Sequence, residues 1–108
     1  MPYNKAIDER IRNVLMGWNT LDQRKMFGGT CYLLNGNMVC GVWKDYLILR
    51  MGEAASKALE NPHTRPFDIT GRPMKGWIMV DEDGFPDEQS LQDWLVRAKR
   101  FVDTLPPK

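Results

Sequence analysis

The sequence predicts an α+β fold of two layers, an antiparallel sheet with helices packed on one face. Three observations carry this. The stretch 25–51, KMFGGTCYLLNGNMVCGVWKDYLILRM, reads as a central three-stranded antiparallel meander. Segments near each end of the chain carry apolar stripes at helical spacing. The intervening strands follow one another through short turns, in the order α-β-β-β-α-β-β-α.

Taken in order, the first helix is expected over 4–18. Ile7, Ile11, Val14, Leu15 and Trp18 share one face, with Lys5, Asp8, Glu9, Arg12 and Asn13 opposite. Asn4 is placed as its N-cap, and 20–24 as a polar linker. In the meander, Asn35-Gly36 between apolar runs predicts a two-residue type I′ turn, in which both residues need positive φ. Lys44-Asp45 makes the second turn. This register opposes Leu33 to Met38, Cys31 to Cys40, Val42 to Leu47, Cys40 to Leu49 and Met38 to Met51. Strand side chains alternate between faces. One face then carries Cys31, Leu33, Met38, Cys40, Val42, Leu47, Leu49 and Met51, the expected core. The other carries Thr30, Tyr32, Val39, Gly41, Trp43, Tyr46, Ile48 and Arg50, expected to be wetter or to meet a partner.

A short helix over 53–60 is stopped by Asn61-Pro62. Residues 65–69 form a short extended segment, which Pro66 places at an edge or a strand start. Thr70-Gly71-Arg72-Pro73 turns the chain into a strand over 74–80, with Trp77 and Met79 on one face and Ile78 and Val80 on the other. The last helix, 87–104, is capped by Asp87. Its stripe is Leu91, Trp94, Leu95, Ala98, Phe101, Val102 and Leu105, with Lys99 and Arg100 where the dipole favours cations.

The chain of 108 residues, 43% hydrophobic and 27% charged, suits one domain able to bury a stable core. A net charge of +1, with acids and bases interspersed, argues against strong stand-alone binding to nucleic acid. No apolar run approaches the ~20 residues of a membrane-spanning helix. The N-terminus lacks the apolar region of a signal peptide, so the expected location is the cytoplasm.

Cys31 and Cys40, opposed at a non-hydrogen-bonded position with Cα atoms about 4.5 Å apart, would be close enough for a disulfide. Their place on the core face of a cytoplasmic protein favours buried free thiols instead. Two cysteines and the single His63 fall short of a zinc ligand set. Lys25-Met26-Phe27-Gly28-Gly29 lacks the phosphate-loop patterns and enters a strand, so its glycines are expected to form a bulge or kink at the sheet edge. Lys25, Arg50, Arg65, Arg72 and Lys75 are either solvated charges or parts of an anion-binding patch. Trp77 either packs under a helix or joins Arg72 and Lys75 in a partner surface. Asp81, Glu82, Asp83 and Asp87 are expected to be solvated turn acids. No catalytic motif is present, and neither a cofactor nor a metal is expected.

Lys25–Gly29, Asn35–Met38 and Tyr46–Arg50, together with 67–77 (FDITGRPMKGW) and the ending TLPPK, resemble the N-terminal domain of the TfoX/Sxy family, and its short single-domain members in particular. The resemblance implies a bacterial cytoplasmic protein with a secretion-chaperone-like two-layer fold. Full-length members are regulators of natural competence that act with the cyclic-AMP receptor protein and carry a helical C-terminal domain; this sequence ends at Lys108, before such a domain.

The expected function is therefore a non-enzymatic regulatory or adaptor domain acting through protein contacts, with no membrane association and at most a weak homodimer. The alternative is a small-molecule or anion-binding domain, with an uncharacterised enzyme as one form of it, that uses a basic and aromatic surface patch. The candidate interaction patch is Lys25, Phe27, Gly28, Gly29, Tyr32, Trp43, Tyr46, Arg50, Arg72, Lys75 and Trp77.

Overall fold

The computed structural model describes residues 3–18, 21–26, 28–68, 71–72 and 74–106, with Met26 described in its backbone only. The readings that involve Asn19, Thr20, Phe27, Ile69, Thr70, Pro73, Pro107 and Lys108 therefore lie outside the described residues. The elements are α1 (Lys5–Leu15), β1 (Leu21–Met26), β2 (Gly29–Leu34), β3 (Asn37–Trp43), β4 (Tyr46–Arg50), a 3-10 turn at Gly52–Ala54, α2 (Ala55–Ala58), β5 (Thr64–Pro66), β6 (Trp77–Val80), a second 3-10 turn at Glu82–Gly84 and α3 (Glu88–Val102). All strands pair antiparallel in one six-stranded sheet, in the order β1-β2-β3-β4-β6-β5. Helices α1 and α3 pack on one face of it, so the α+β class and the two-layer arrangement are as expected.

The expected linker 20–24 is instead largely strand β1. It lies at the sheet edge, and Asp22, Gln23, Arg24 and Lys25 are exposed. A strand with four exposed polar side chains carries no apolar alternation, which is the signal that would have revealed it. Other differences are smaller. The helix expected at 53–60 divides into the 3-10 turn and the single-turn α2, β6 begins at Trp77, and α1 ends at Leu15. Strand β4 ends at Arg50, so Met38 and Met51 are not cross-strand partners.

Asn35 at φ 55° and Gly36 at φ 83° make the expected turn, and Lys44 at φ 52° begins the next one. Next to the first turn the expected register holds, with Leu33 opposite Met38. It then shifts. Tyr32, not Cys31, opposes Cys40, and Cys31 opposes Gly41. Val39 is the extra residue of a β-bulge. Val39 and Cys40, though consecutive, both reach the core on the helix side, as a bulge permits. Relative to the expectation all of β2 is turned over, and Met38 with it. Tyr32 and Leu34 face the helices, while Cys31 and Leu33 face away and Met38 packs on the other side of the sheet. From Cys40 onward β3 and β4 keep the expected pairing, so Cys40, Val42, Leu47 and Leu49 line the main core with Ile78 and Val80.

Two consequences follow. The first concerns Tyr32, which is only 5% exposed and donates its hydroxyl to the carboxylate of Asp8, itself 6% exposed. Ile7, Ile11 and Leu15 surround α1's contact with the sheet, and the Asp8–Tyr32 bond satisfies the one carboxylate that this buried stripe carries. Burial, followed by the bond to Asp8, pushes the Tyr32 hydroxyl's pKa far above the ordinary phenol range. The second concerns the cysteines. They lie on opposite faces of the sheet, both free and fully buried. Cys31 sits against Gly41, where an added Cβ would stand 2.6 Å from the Thr30 carbonyl oxygen and 3.4 Å from Cys31 Sγ.

Helix α1 starts from Asn4, whose side chain accepts from the amides of Ala6 (2.9 Å) and Ile7 (3.2 Å) and donates to Asp45 at 3.0 Å. The Asn4 amide donates to the Lys44 carbonyl at 2.8 Å, so the helix start is fixed to the β3–β4 turn. Helix α3 begins with the expected Asp87 cap, which forms a reciprocal capping box with Ser90. The Ser90 amide bond holds the Asp87 carboxyl below its usual range. Arg10 joins the two helices. It donates to the Phe85 carbonyl at 2.7 Å, lies over the Phe85 ring and pairs with Glu88 at 3.3 Å.

Three expected outcomes test this packing. Tyr32→Phe leaves the Asp8 carboxylate buried without its donor and costs about 1–3 kcal/mol of stability. In a double-mutant cycle with Asp8→Ala, chemical denaturation gives a coupling energy well above experimental error; additive losses would contradict the bond. Gly41→Ala forces backbone atoms apart and lowers stability by about 1–3 kcal/mol, whereas Gly17→Ala, with open space around its Cβ position, does not. Burial raises the Cys31 thiol from 9.0 to about 12 and raises Cys40 further, with the Cys31 charge and then Asp8 adding to the effect. The native protein is therefore inert to a thiol reagent near neutral pH and reacts at both cysteines when unfolded. The folded state keeps these protons where the unfolded chain releases them. Their contribution to stability is full below about pH 9 and is lost as the pH rises toward 12.

Candidate interaction face

The face of the sheet opposite α1 and α3 carries a second, smaller apolar cluster. Ile48, Phe67 and Met79 are buried in it, and Met38, Trp43, Tyr46 and Trp77 pack around them half-buried. Strand alternation puts Tyr46, Ile48 and Arg50 on this side of β4, and Trp77 and Met79 on this side of β6. Cross-strand pairing places Ile48 opposite Met79 and Arg50 opposite Trp77. Phe67, two positions beyond Arg65 and just past β5, covers the cluster from the loop that leads to β6. The Met74 amide donates to the Phe67 carbonyl at 3.0 Å.

Aromatic rings and cations alternate over this face. Trp43 and Tyr46, neighbours across the β3–β4 turn, stack with centroids 6.4 Å apart at an interplanar angle of 20°. Lys44 Nζ lies 4.7 Å from the Trp43 centroid. The Arg65 guanidinium lies 5.7 Å from the Tyr46 centroid and donates from Nη1 to the Tyr46 hydroxyl oxygen at 2.9 Å. Farther along, Trp77 packs against Phe67, with centroids 5.8 Å apart. The Arg50 guanidinium lies 5.5 Å from the Trp77 centroid and 5.8 Å from that of Phe101 in α3, so its head reaches from this face round the end of β4 toward the helix side. Cation–π pairs of this kind hold long cationic side chains in place while their polar ends stay hydrated.

The structure brings together Trp43, Tyr46, Arg50 and Trp77 on one face of the sheet. Tyr32 is a correction. The bulge turns it to the helix side, where it is buried beneath α1 and offers nothing to a partner. Lys25 is exposed on β1, in the row Lys25, Thr30, Val42, Leu47 and Val80, which belongs to the helix side. It is thus on the opposite face from Arg50 and does not converge with it. Gly28, at φ 78°, lies in the turn between β1 and β2, and Gly29 opens β2. The glycines therefore serve the β1–β2 hairpin at the sheet edge, where a bulge or kink was the expectation. Phe27 lies outside the described residues. Arg72 and Lys75 are exposed in the β5–β6 loop. Trp77 packs under Phe67 rather than under a helix.

The sequence pattern does not point to Met38, Lys44 or Phe67 as members of this face, and it offers Arg65 only as a solvated charge or a part of an anion-binding patch. Alternation alone puts Arg65 and Phe67 on one side of an extended segment, and that signal was available. Their position against Tyr46 and Met79 depends on β6 lying between β4 and β5, which no local pattern encodes.

Away from this face, His63, Asp81 and Asp83 bring three ligand atoms within 4.8 Å of one another and are the described groups that could hold a cation. His63 Nδ1 stands 3.3 Å from Asp81 Oδ1, and that oxygen also accepts from the Gly84 amide at 3.2 Å. Among the described residues, no helix is long and apolar enough to cross a membrane.

A comparison with curated proteins gives no match. The description TfoX N-terminal domain, in contrast, fits residues 13–102, a span running from within α1 to the last residue of α3. With the whole sheet inside that match, the chain belongs to the TfoX N-terminal domain family.

Proposed function

We propose that this chain is a non-enzymatic regulatory or adaptor domain that works through protein contacts made by the helix-free face of its sheet. The observation that carries the proposal is the stacked, half-exposed Trp43–Tyr46 pair, flanked by Lys44 and Arg65. Aromatic and arginine side chains are the residue types that anchor interfaces. Here they stand on a rigid sheet and are pre-positioned by one another, so little side-chain entropy remains to be lost on binding. The cations at the rim suit a partner segment with an apolar centre and carboxylates around it. Family membership supports a regulatory role of the competence type, in the bacterial cytoplasm.

The anion-binding alternative draws less support. It needs Lys25, Arg50, Arg72 and Lys75 to converge, and Lys25 and Arg50 lie on opposite faces. Arg50 is engaged by two rings. The cavity beside Met51 and α3 is lined by Arg97 and Arg100 and by none of these four.

The test is capture of partners from a bacterial lysate by the native chain and by Trp43→Ala/Tyr46→Ala, compared by quantitative mass spectrometry. Both rings are half-buried, so the variant is first shown to melt cooperatively. A set of proteins retained by the native chain and depleted at least tenfold by the variant supports this face, since losing two interface anchors at 1 kcal/mol or more each weakens binding by about thirtyfold or more. Equal capture by both chains contradicts it.

A further inference from the structure

The two edges of the sheet differ. Strand β5 ends it with three residues, one of them Pro66, which has no N–H to offer. Strand β1 ends it with six residues and no proline. Pairing with β2 determines which backbone groups of β1 are free. Met26 opposes Gly29 across a two-residue connection, which makes that pair hydrogen-bonded, and pair types alternate from there. Asp22, Arg24 and Met26 therefore direct their N–H and C=O groups at β2. In accord with this, the Arg24 carbonyl oxygen lies 3.5 Å from the Thr30 hydroxyl. Leu21, Gln23 and Lys25 direct theirs outward. Such an edge is a template for a further strand.

The side chains indicate which strand. Charges often guard an edge against pairing. On β1 they are of both signs, and their spacing is self-complementary. In an antiparallel pair of identical strands the two-fold axis stands perpendicular to the sheet and keeps each residue on its own face. One residue must then oppose its own copy. With the axis at Gln23, Asp22 opposes Arg24 of the second copy, and Arg24 opposes the second Asp22. Leu21, Gln23 and Lys25, whose backbone groups point outward, all fall at hydrogen-bonded positions. With the axis at Arg24, two guanidinium groups oppose each other, and Leu21 finds no partner within β1. With the axis at Asp22, two carboxylates meet.

We propose that β1 is a homodimerisation edge, which joins two copies of the chain antiparallel about Gln23 and merges their six-stranded sheets into one. The Asp22–Arg24 pairs lie on the helix-free side, because Asp22 opposes Leu33 and Arg24 opposes Cys31. An edge contact alone buries little area, so the dimer is weak and depends on concentration.

Sedimentation velocity on the full chain, at low salt and up to millimolar protein, tests this with Asp22→Arg, Arg24→Asp and the double exchange. All affected side chains are exposed, and thermal melts confirm that each variant folds. The native chain self-associates. Each single reversal sets like charges opposite one another at two symmetry-related positions and weakens the dimer about tenfold or more. The double exchange restores it. A native chain that stays monomeric throughout overturns the proposal. So do single variants that dimerise as well as the native chain, or a double exchange that fails to recover.

Discussion

One extra residue, Val39, decides how the sheet presents itself. Strands β2 and β3 leave their turn in the register that Asn35-Gly36 imposes. The bulge then moves β2 by one position against its neighbour. Because side chains alternate with a period of two, that single step leaves all of β2, and Met38 with it, on the faces opposite to those an unbroken register gives. Tyr32 is carried to the helix side and meets Asp8. Cys31 is carried to the other side and lies on Gly41. The identity of both partners follows from this. A residue reaching under α1 must be long enough to deliver a hydrogen bond to a buried carboxylate, and the residue facing Cys31 must lack a Cβ.

The helix side then closes around a fixed frame. Asn4 fixes the start of α1 to the β3–β4 turn, Arg10 fixes α1 to the start of α3, and the Trp94 ring N–H donates to the Gly84 carbonyl at 2.8 Å. These polar contacts sit at the borders of a core built mainly from aliphatic side chains, with Phe85 and Trp94 buried among them. They supply direction where hydrophobic burial supplies none. Among the described residues, no helix packs on the opposite side. Phe67 is buried there with Ile48 and Met79, and the aromatic residues at the margin stay half-buried, beside Lys44, Arg50 and Arg65. The same asymmetry that makes one face a core leaves the other as the surface on which contacts with other molecules can be built.

Much of this was legible in the sequence. Local chemistry dictates the Asn35-Gly36 and Lys44-Asp45 turns, the pairing of β3 with β4, the Asn4 and Asp87 caps and the stripe of α3, and all were readable for that reason. Strand β1 was not readable. An edge strand needs only backbone pairing, so Asp22, Gln23, Arg24 and Lys25 show no apolar alternation. The bulge was hidden for a different reason. Both registers put apolar residues on the core face, and the choice turns on the Tyr32–Asp8 bond and the close approach at Gly41, which are contacts between distant parts of the chain. The candidate site inherited that error. An unbroken register puts Tyr32 on the wet face, whereas Trp43, Tyr46 and Arg50 lie beyond the reach of the bulge and stand where the pattern puts them. Arg65 and Phe67 joined them only through the β4-β6-β5 order, a property of the assembled sheet.

The most direct test of the account is the cross-strand pattern of β2 and β3 in solution, read from Hα–Hα contacts in a NOESY spectrum of the folded chain. Adjacent Hα protons of a non-hydrogen-bonded antiparallel pair give strong cross-peaks. The bulged register predicts a strong contact between Cys31 and Gly41, with the Tyr32 ring close to the side chain of Asp8. A strong Cys31–Cys40 contact in its place, with no contact between Tyr32 and α1, would contradict the account.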